Sequence, residues 1–186
     1  MPSEQVEAKE APSLPVPVEP VRVLVPSQIG ALGVEFYGLA IGRILIAPTG
    51  PMARLFHPLS AFEDSDFLDE VFGRLSEYFA GARRALELDF DLAPSAVDSF
   101  SRRVLKEALR TPYGKTRTYK EIAEAAGRQE AYRQVVAILE RNPLALLVPC
   151  HRIVPGKQGI GRWVGGVAKK RWLLRLEQEQ LGQLSA

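Results

Sequence analysis

Cysteine and histidine are scarce in this sequence of 186 residues, which contains one cysteine, Cys150, and two histidines, His57 and His151. A single cysteine excludes an intramolecular disulfide and any metal cluster built from several thiolates. A reducing, cytoplasmic setting is therefore expected, with no metal. No apolar run approaches the ~20 residues that span a bilayer, so no membrane association is expected. The N-terminus has neither a basic segment nor an apolar core, so no secretory signal is expected.

Aromatic residues are absent from residues 1–20, which hold four glutamates and, beyond Ser3, four prolines. Such a segment has too little apolar surface to offset the entropy of ordering. The composition predicts a disordered tail over residues 1–20.

The small net charge of +2 conceals an uneven distribution. Residues 1–94 carry 7 basic and 14 acidic side chains, whereas residues 95–186 carry 17 and 8. The basic residues cluster in "SRRVLKEALRTPYGKTRTYK" and "GVAKKRWLLR". A basic C-terminal half favours contact with a polyanion such as nucleic acid, against the alternative of scattered, solvated charge.

Two domains are predicted, with a boundary near Pro94 and Ser95. The first predicted domain covers residues 21–94. Within it, residues 21–48 are rich in β-forming residues with turns marked by glycine, which predicts a three-stranded meander. Residues 64–81 have the apolar spacing of a capped helix. The stretch "ALELDFDL" is either a last strand or an extended connector. Residues 21–94 therefore predict an α/β supporting domain.

Residues 95–186 predict a mostly helical second domain. "AVDSFSRRVLKEALRTP" is amphipathic, "TYKEIAEAAG" is a short helix stopped by Gly127, and "AYRQVVAILERN" is a further helix ending before Pro143. A short helix, a turn with glycine and a second helix indicate a helix-turn-helix, although hairpins in plain bundles look alike. "LALLVPC" is expected to be buried and strand-like, and "AKKRWLLRLEQEQL" to be the last helix.

Cys150 lies in "LVPCHRIVPG", residues 147–156. A lone cysteine is most often a small buried hydrophobe. Here His151 and Arg152 follow directly, and a nearby base or cation activates a thiol as a nucleophile. Neighbouring side chains on a strand point in opposite directions, so Cys150 and His151 can pair only if the chain turns or a water bridges them. A carboxylate would have to orient the histidine, and spacing alone does not select one.

The segment "NPLALLVPCHRIV" resembles the active-site signature of the O6-alkylguanine-DNA alkyltransferases. Four functional positions of that family are kept at the family's spacing, without a gap; they are Tyr119, Arg133, Cys150 and Glu177. The pairs Asn142–Pro143 and Gly165–Gly166 are also in place. The resemblance covers roughly residues 20–180. It implies an α+β fold, in which a small antiparallel, ribonuclease-H-like N-terminal domain supports a helical C-terminal domain with a helix-turn-helix.

The resemblance also implies DNA repair by a protein that reacts only once. Such a protein binds double-stranded DNA through the minor groove as a monomer, flips out an O6-alkylguanine and moves the alkyl group to its own cysteine without a cofactor. By resemblance, Cys150 is the acceptor, His151 acts through a water as its base, and Glu177 orients His151. Asn142 braces the turn, and Tyr119 rotates a phosphate and assists the leaving guanine.

Further residues follow from the same resemblance. Arg133 would fill the gap left in the duplex, and backbone groups near Cys150, Ile153 and Val164 would read the guanine. The residues expected to contact DNA are Arg133, Tyr119, Tyr132, Gln134 and Arg152. Those expected to line the substrate pocket are Ile153, Trp163, Val164, Leu139 and Ala145.

The sequence departs from the family pattern at several of these positions. Tyr132 and Gln134 stand where small side chains are usual, Trp163 replaces a tyrosine, Val164 a serine and Ala145 a proline. These changes put the range of substrates in question. They leave two alternatives: an alkyltransferase-like protein that marks the lesion with little or no transfer, and a helix-turn-helix transcription regulator with an incidental cysteine. Alkyltransferase-like proteins typically lack the cysteine, which argues against the first alternative. Arg133 and the Gly-rich loop before the last helix argue against the second.

Overall fold

The computed structural model describes residues 19–62, 65–90, 98–156 and 159–183. The strands are β1 (Val21–Val25), β2 (Leu32–Tyr37), β3 (Ala40–Ile46), β4 (His57–Pro58), β5 (Arg117–Thr118) and β6 (Ile153–Val154). The helices are α1 (Gly50–Ala53), α2 (Asp66–Phe79), α3 (Ser99–Leu109), α4 (Tyr119–Ala125), α5 (Tyr132–Glu140) and α6 (Val167–Gln183). Short 3₁₀ turns cover Leu59–Ala61 and Cys150–Arg152. In this part of the chain, no helix is long and apolar enough to cross a membrane.

The α+β fold expected from the sequence is confirmed, with one difference in the sheet. Strands β1, β2 and β3 form the predicted antiparallel meander, but β4 joins it parallel to β1, so the sheet is mixed. The two-residue β4 could not be read from alternation, because its residues are His57 and Pro58. "ALELDFDL" is a connector as far as it is described, with one bridge from Phe90 to Ile41. Two predictions, the tail (apart from Glu19 and Pro20) and the boundary at Pro94–Ser95, lie outside the described residues.

The meander contacts the segment that leads to Cys150. The backbone N–H of Ile44 in β3 donates to the carbonyl of Pro143 at 2.7 Å, and Ile44 forms a bridge with Leu144. Residues 144–150 are buried as predicted, but they form turns and isolated bridges instead of a strand. Leu146 has a φ of 78°, in the left-handed region that non-glycine residues rarely adopt, so this turn is held by its surroundings.

The predicted helix-turn-helix is present as α4 and α5. Thr118 and Glu121 form a capping box that fixes the first residue of α4. Gly127 ends the helix at φ 80°, which glycine adopts without steric cost. Strand β5 pairs parallel with β6, so the start of α4 is joined to the residues that follow Cys150–Arg152. This pairing brings Tyr119 to the site.

Candidate active site

Cys150 lies at the start of a 3₁₀ turn and is only 2% exposed. Two N–H groups point at its sulfur: Nδ2 of Asn142 and the indole Nε1 of Trp163 are each 3.1 Å from Sγ. Burial raises the pKa of the Cys150 thiol, while these two hydrogen bonds and the positive charge of Lys170 lower it. The site therefore favours a thiolate once the proton is removed, although burial keeps the resting thiol protonated.

Asn142 joins several groups of the turn. Its Nδ2 also donates to the carbonyl of Val148 at 3.0 Å, and its Oδ1 accepts from the N–H of Leu144 at 3.0 Å. One amide side chain thus joins both ends of the strained turn and the reactive sulfur. Because the chain turns at Cys150, His151 is not directed away from the site as it would be on a strand.

His151 and Glu177 are both completely buried and hydrogen-bonded, with Nε2 2.9 Å from Oε1. Burial acts to raise the pKa of Glu177, but the hydrogen bond from His151 and the positive charge of Arg152 bring it down to about 2. The ionised carboxylate can only accept, so Nε2 of His151 carries the proton. Burial lowers the pKa of His151, which favours the neutral imidazole. Its Nδ1 is buried and has no hydrogen-bond partner within the described part of the chain.

Arg152 is part of this cluster. Its side chain is buried, its Nε and Nη2 donate to the carboxylate of Glu177 at 3.0–3.1 Å, and its Nη1 donates to the carbonyl of Thr111 at 2.7 Å. The expectation that Arg152 contacts DNA does not fit this geometry, because Glu177 and Thr111 use its donors in the interior. The sequence placed it next to Cys150 but could not show which way it points.

Helix α6 supplies two polar groups to the site. Lys170 and Glu177 are seven residues apart, on the same face as the buried Leu173. The ammonium of Lys170 donates to the carbonyls of Ile153 at 2.6 Å and Arg162 at 3.4 Å, and lies 5.7 Å from the centre of the Tyr119 ring. Burial lowers the pKa of Lys170 to about 8. Lys170 was not singled out from the sequence, because a lysine in a basic run is usually solvated.

The loop before α6 lies against the sulfur. Trp163 is 6% exposed, and its ring meets His151 edge-on with centroids 6.1 Å apart. A Cβ at Gly165 would collide with the indole ring, which explains the need for glycine there. Tyr119 is also buried, and a Cβ at Gly161 would lie 2.8 Å from its hydroxyl. Burial raises the pKa of Tyr119, so the phenol is protonated at neutral pH.

The remaining residues expected in the pocket divide into two groups. Leu139, Ala145 and Ile153 are buried, whereas Val164 is 40% exposed at the surface of the loop. The residues expected to contact DNA on α5 are all exposed; they are Tyr132, Arg133 and Gln134. Nε of Arg133 donates to the hydroxyl of Tyr132 at 3.2 Å, so these two side chains form one projection at the start of the helix.

Tyr78 was also not singled out from the sequence as a site residue. It lies at the end of α2 and is 1% exposed. Its hydroxyl donates to Oε1 of Glu177 at 2.7 Å and lies 3.4 Å from Nε2 of His151. Its apolar spacing on α2 is that of an ordinary core residue. Only the packing of α2 against α6 brings it to the site.

Replacement of Trp163 by phenylalanine is expected to raise the pKa of the Cys150 thiol further, because a hydrogen bond that stabilises the thiolate is lost. The thiolate absorbance as a function of pH measures this directly, since Cys150 is the only cysteine. Trp172→Phe is the matched control, because that indole packs on Phe79. An unchanged pKa in the Trp163 variant would show that the indole N–H does not stabilise the thiolate.

Comparison with known proteins identifies the family. Residues 99–179 match the family model described as the DNA-binding domain of 6-O-methylguanine DNA methyltransferase. The methylated-DNA–protein-cysteine methyltransferase of Methanosarcina barkeri is 38% identical over 128 residues, which are 69% of this chain and 79% of that relative. The crystal structure of the O6-methylguanine methyltransferase of Mycobacterium tuberculosis aligns with a TM-score of 0.73 and 30% identity, over 87% of this chain and 94% of that one. A structure of the Mycobacterium tuberculosis protein in complex with DNA matches equally, over 86% and 93%. The chain belongs to the methylated-DNA–protein-cysteine methyltransferase family.

Proposed function

We propose that this protein repairs DNA by moving the alkyl group of an O6-alkylguanine to Sγ of Cys150, irreversibly and once per chain. The main support for the proposal is the set of groups that surround Cys150. Two N–H donors point at its sulfur, and the next residue is a neutral imidazole bonded to an ionised carboxylate. A structural cysteine needs neither feature. The family relationship supports the same reaction.

The reaction begins with removal of the thiol proton. Glu177 accepts from Nε2 of His151, which leaves the lone pair of Nδ1 to take the proton of Cys150 through a water. The N–H groups of Asn142 and Trp163 stabilise the thiolate as it forms. The thiolate then attacks the alkyl carbon, so that a C–S bond forms, the C–O6 bond breaks and guanine leaves with the electron pair. Tyr119 is protonated and supplies a proton to the departing base. Because the thioether is stable, the thiol is not regenerated.

The DNA contacts are proposed for the start of α5. Helices α4 and α5 form the helix-turn-helix, and the three exposed side chains at residues 132–134 project from it. We infer that this helix enters the minor groove of double-stranded DNA and that Arg133 occupies the space of the flipped guanine. The flipped base would then lie among Leu139, Ala145, Ile153, Trp163 and Val164. The protein acts as a monomer on chromosomal DNA inside the cell and needs no cofactor.

A stoichiometric assay tests the proposed reaction. With duplex containing O6-methylguanine in excess, the amount of repaired guanine is expected to equal the amount of protein and then to stay constant. Continued turnover would exclude the mechanism. Binding of the lesion without repair would instead identify a lesion sensor.

Arg133→Ala is expected to slow transfer from duplex DNA far more than transfer from free O6-alkylguanine, because only the duplex requires a base to be flipped, at a cost of a few kcal/mol. Single-turnover rates on the two substrates measure the difference. Arg175→Ala is the matched control, since Arg175 is an exposed arginine on α6 whose carboxylate partner, Glu179, is 3.8 Å away. Equal losses on both substrates would show that Arg133 has only a packing role.

A further inference from the structure

A tyrosine outside the matched family domain reaches the reactive centre. Tyr78 belongs to the N-terminal part of the chain, whereas the family model matches residues 99–179. Its ring is held edge-on by Phe79 and Tyr113, with centroids 5.6 and 6.1 Å away. Its hydroxyl donates to Oε1 of Glu177, the same oxygen that accepts from Nε2 of His151.

The two oxygens of Glu177 are used differently. Oε2 accepts from the backbone N–H of Gly114 at 2.8 Å and from Arg152. Oε1 accepts from Tyr78 and His151, and also from Arg152. A carboxylate whose pKa is about 2 has no proton to offer, so the phenol must donate. The hydroxyl of Tyr78 therefore both fixes the rotation of the carboxylate and withdraws charge from the oxygen that holds the imidazole.

We propose that Tyr78 is a positioning residue of the alkyl-transfer reaction, which sets the orientation and basicity of His151 by its hydrogen bond to Oε1 of Glu177. The inference rests on the proposed function. It gives the N-terminal part, expected from the sequence only to support the site, a direct part in the chemistry. Tyr78 acts only through Glu177 and His151.

The sign of the effect follows from the charge on Oε1. Without the phenol, this oxygen carries more negative charge toward the imidazole and stabilises the imidazolium, so the pKa of His151 rises. The charged and titratable groups that face His151 come from α2, α6 and its own turn; they are Tyr78, Lys170, Glu177, Cys150 and Arg152. Only the first of these is changed in the test.

Tyr78→Phe is expected to slow methyl transfer from an O6-methylguanine duplex about tenfold, the lower end of the range for loss of a group that orients a functional histidine. The acid limb of the pH–rate profile is expected to move to higher pH, as is the titration of His151 followed by NMR. Tyr113→Phe is the matched control, because its hydroxyl is buried but has no partner in the described ranges. This control is expected to keep both the rate and the titration of the wild-type protein.

A purely structural role would lower the melting temperature of Tyr78→Phe but leave the rate per folded molecule and the His151 titration unchanged, and that result would overturn the proposal. If the variant does not fold, the wild-type protein still tests it. A nuclear Overhauser effect between the Tyr78 hydroxyl proton and the Nε2 proton of His151 is expected, and its absence would contradict the geometry. The NMR titration needs no DNA. If the proposed function is wrong, the wild-type protein will not transfer the alkyl group. The Tyr78→Phe substitution will nevertheless still shift the titration of His151.

Discussion

Glu177→Gln is expected to slow alkyl transfer by ~10²-fold or more, the usual scale for losing general-base assistance. Both oxygens of Glu177 accept hydrogen bonds, from Tyr78 and His151 on one side, from Gly114 on the other and from Arg152 on both. An amide replaces one acceptor with a donor, so in either orientation its NH₂ group faces donors. The imidazole loses its anionic partner and with it the fixed tautomer. Single-turnover transfer rates measure the loss.

The same substitution is expected to destabilise the fold by ~3–5 kcal/mol, because it leaves the buried guanidinium of Arg152 without its counter-ion. Glu179→Gln is the matched control on α6, since Glu179 is exposed and 3.8 Å from its partner Arg175. Normal transfer and normal stability in Glu177→Gln would show that the hydrogen-bonded pair has no role in either.

The low pKa of Glu177 predicts how stability depends on pH. The pKa falls from an ordinary value of 4.5 to about 2 on folding, so the unfolded chain binds the proton first as the pH drops. Stability from this group is therefore fully present above about pH 4.5 and is lost as the pH falls to about 2, in total roughly 3 kcal/mol. Denaturant unfolding of the wild-type protein is expected to show this loss, and Glu177→Gln to lack it.

Cys150→Ser is expected to abolish transfer while leaving the affinity for duplex containing O6-methylguanine unchanged. The serine oxygen can accept from the same N–H groups of Asn142 and Trp163, so the turn is kept. Its hydroxyl ionises far less readily than a thiol and is a much weaker nucleophile toward the alkyl carbon. Fluorescence anisotropy measures binding, and release of a labelled methyl group measures transfer.

Cys150→Ala serves as the control for the turn, because it removes both the nucleophile and the acceptor of two N–H groups. It is expected to lose transfer as completely as the serine variant, but also some stability. Transfer by either variant would mean that another side chain accepts the alkyl group.

The sequence predicted the parts of this site that follow from local pattern. Gly127 and Pro143 located the ends of α4 and α5, and the resemblance to the alkyltransferases pointed to Tyr119, Cys150 and Glu177, which the structure brings together. The side-chain contacts of the site residues could not be predicted from the sequence as well as their positions. Arg152 was expected from the resemblance to contact DNA, whereas its burial depends on the position of α6.

Most basic residues of the two clusters are exposed, as Arg103 and Arg110 are, although several of them have partners within the protein. In the cluster on α3 and after it, Arg103 donates to the carbonyl of Ala126, while Arg110 and Arg117 pair with Glu107. Lys170, in the second cluster, is buried in the site. Composition counts charges but does not show which of them the fold turns inward. Tyr78 is the opposite case. Its apolar spacing on α2 predicts an ordinary core residue, but its hydroxyl donates a hydrogen bond to Glu177 in the site.

The proposed reaction requires that Cys150 itself receives the alkyl group. The most direct measurement is the intact mass of the protein after incubation with excess duplex containing O6-methylguanine, followed by peptide mapping. The expected mass is that of the chain with one added methyl group, located on the peptide that contains Cys150. An unmodified Cys150 together with repaired DNA, or a methyl group on any other residue, would contradict it.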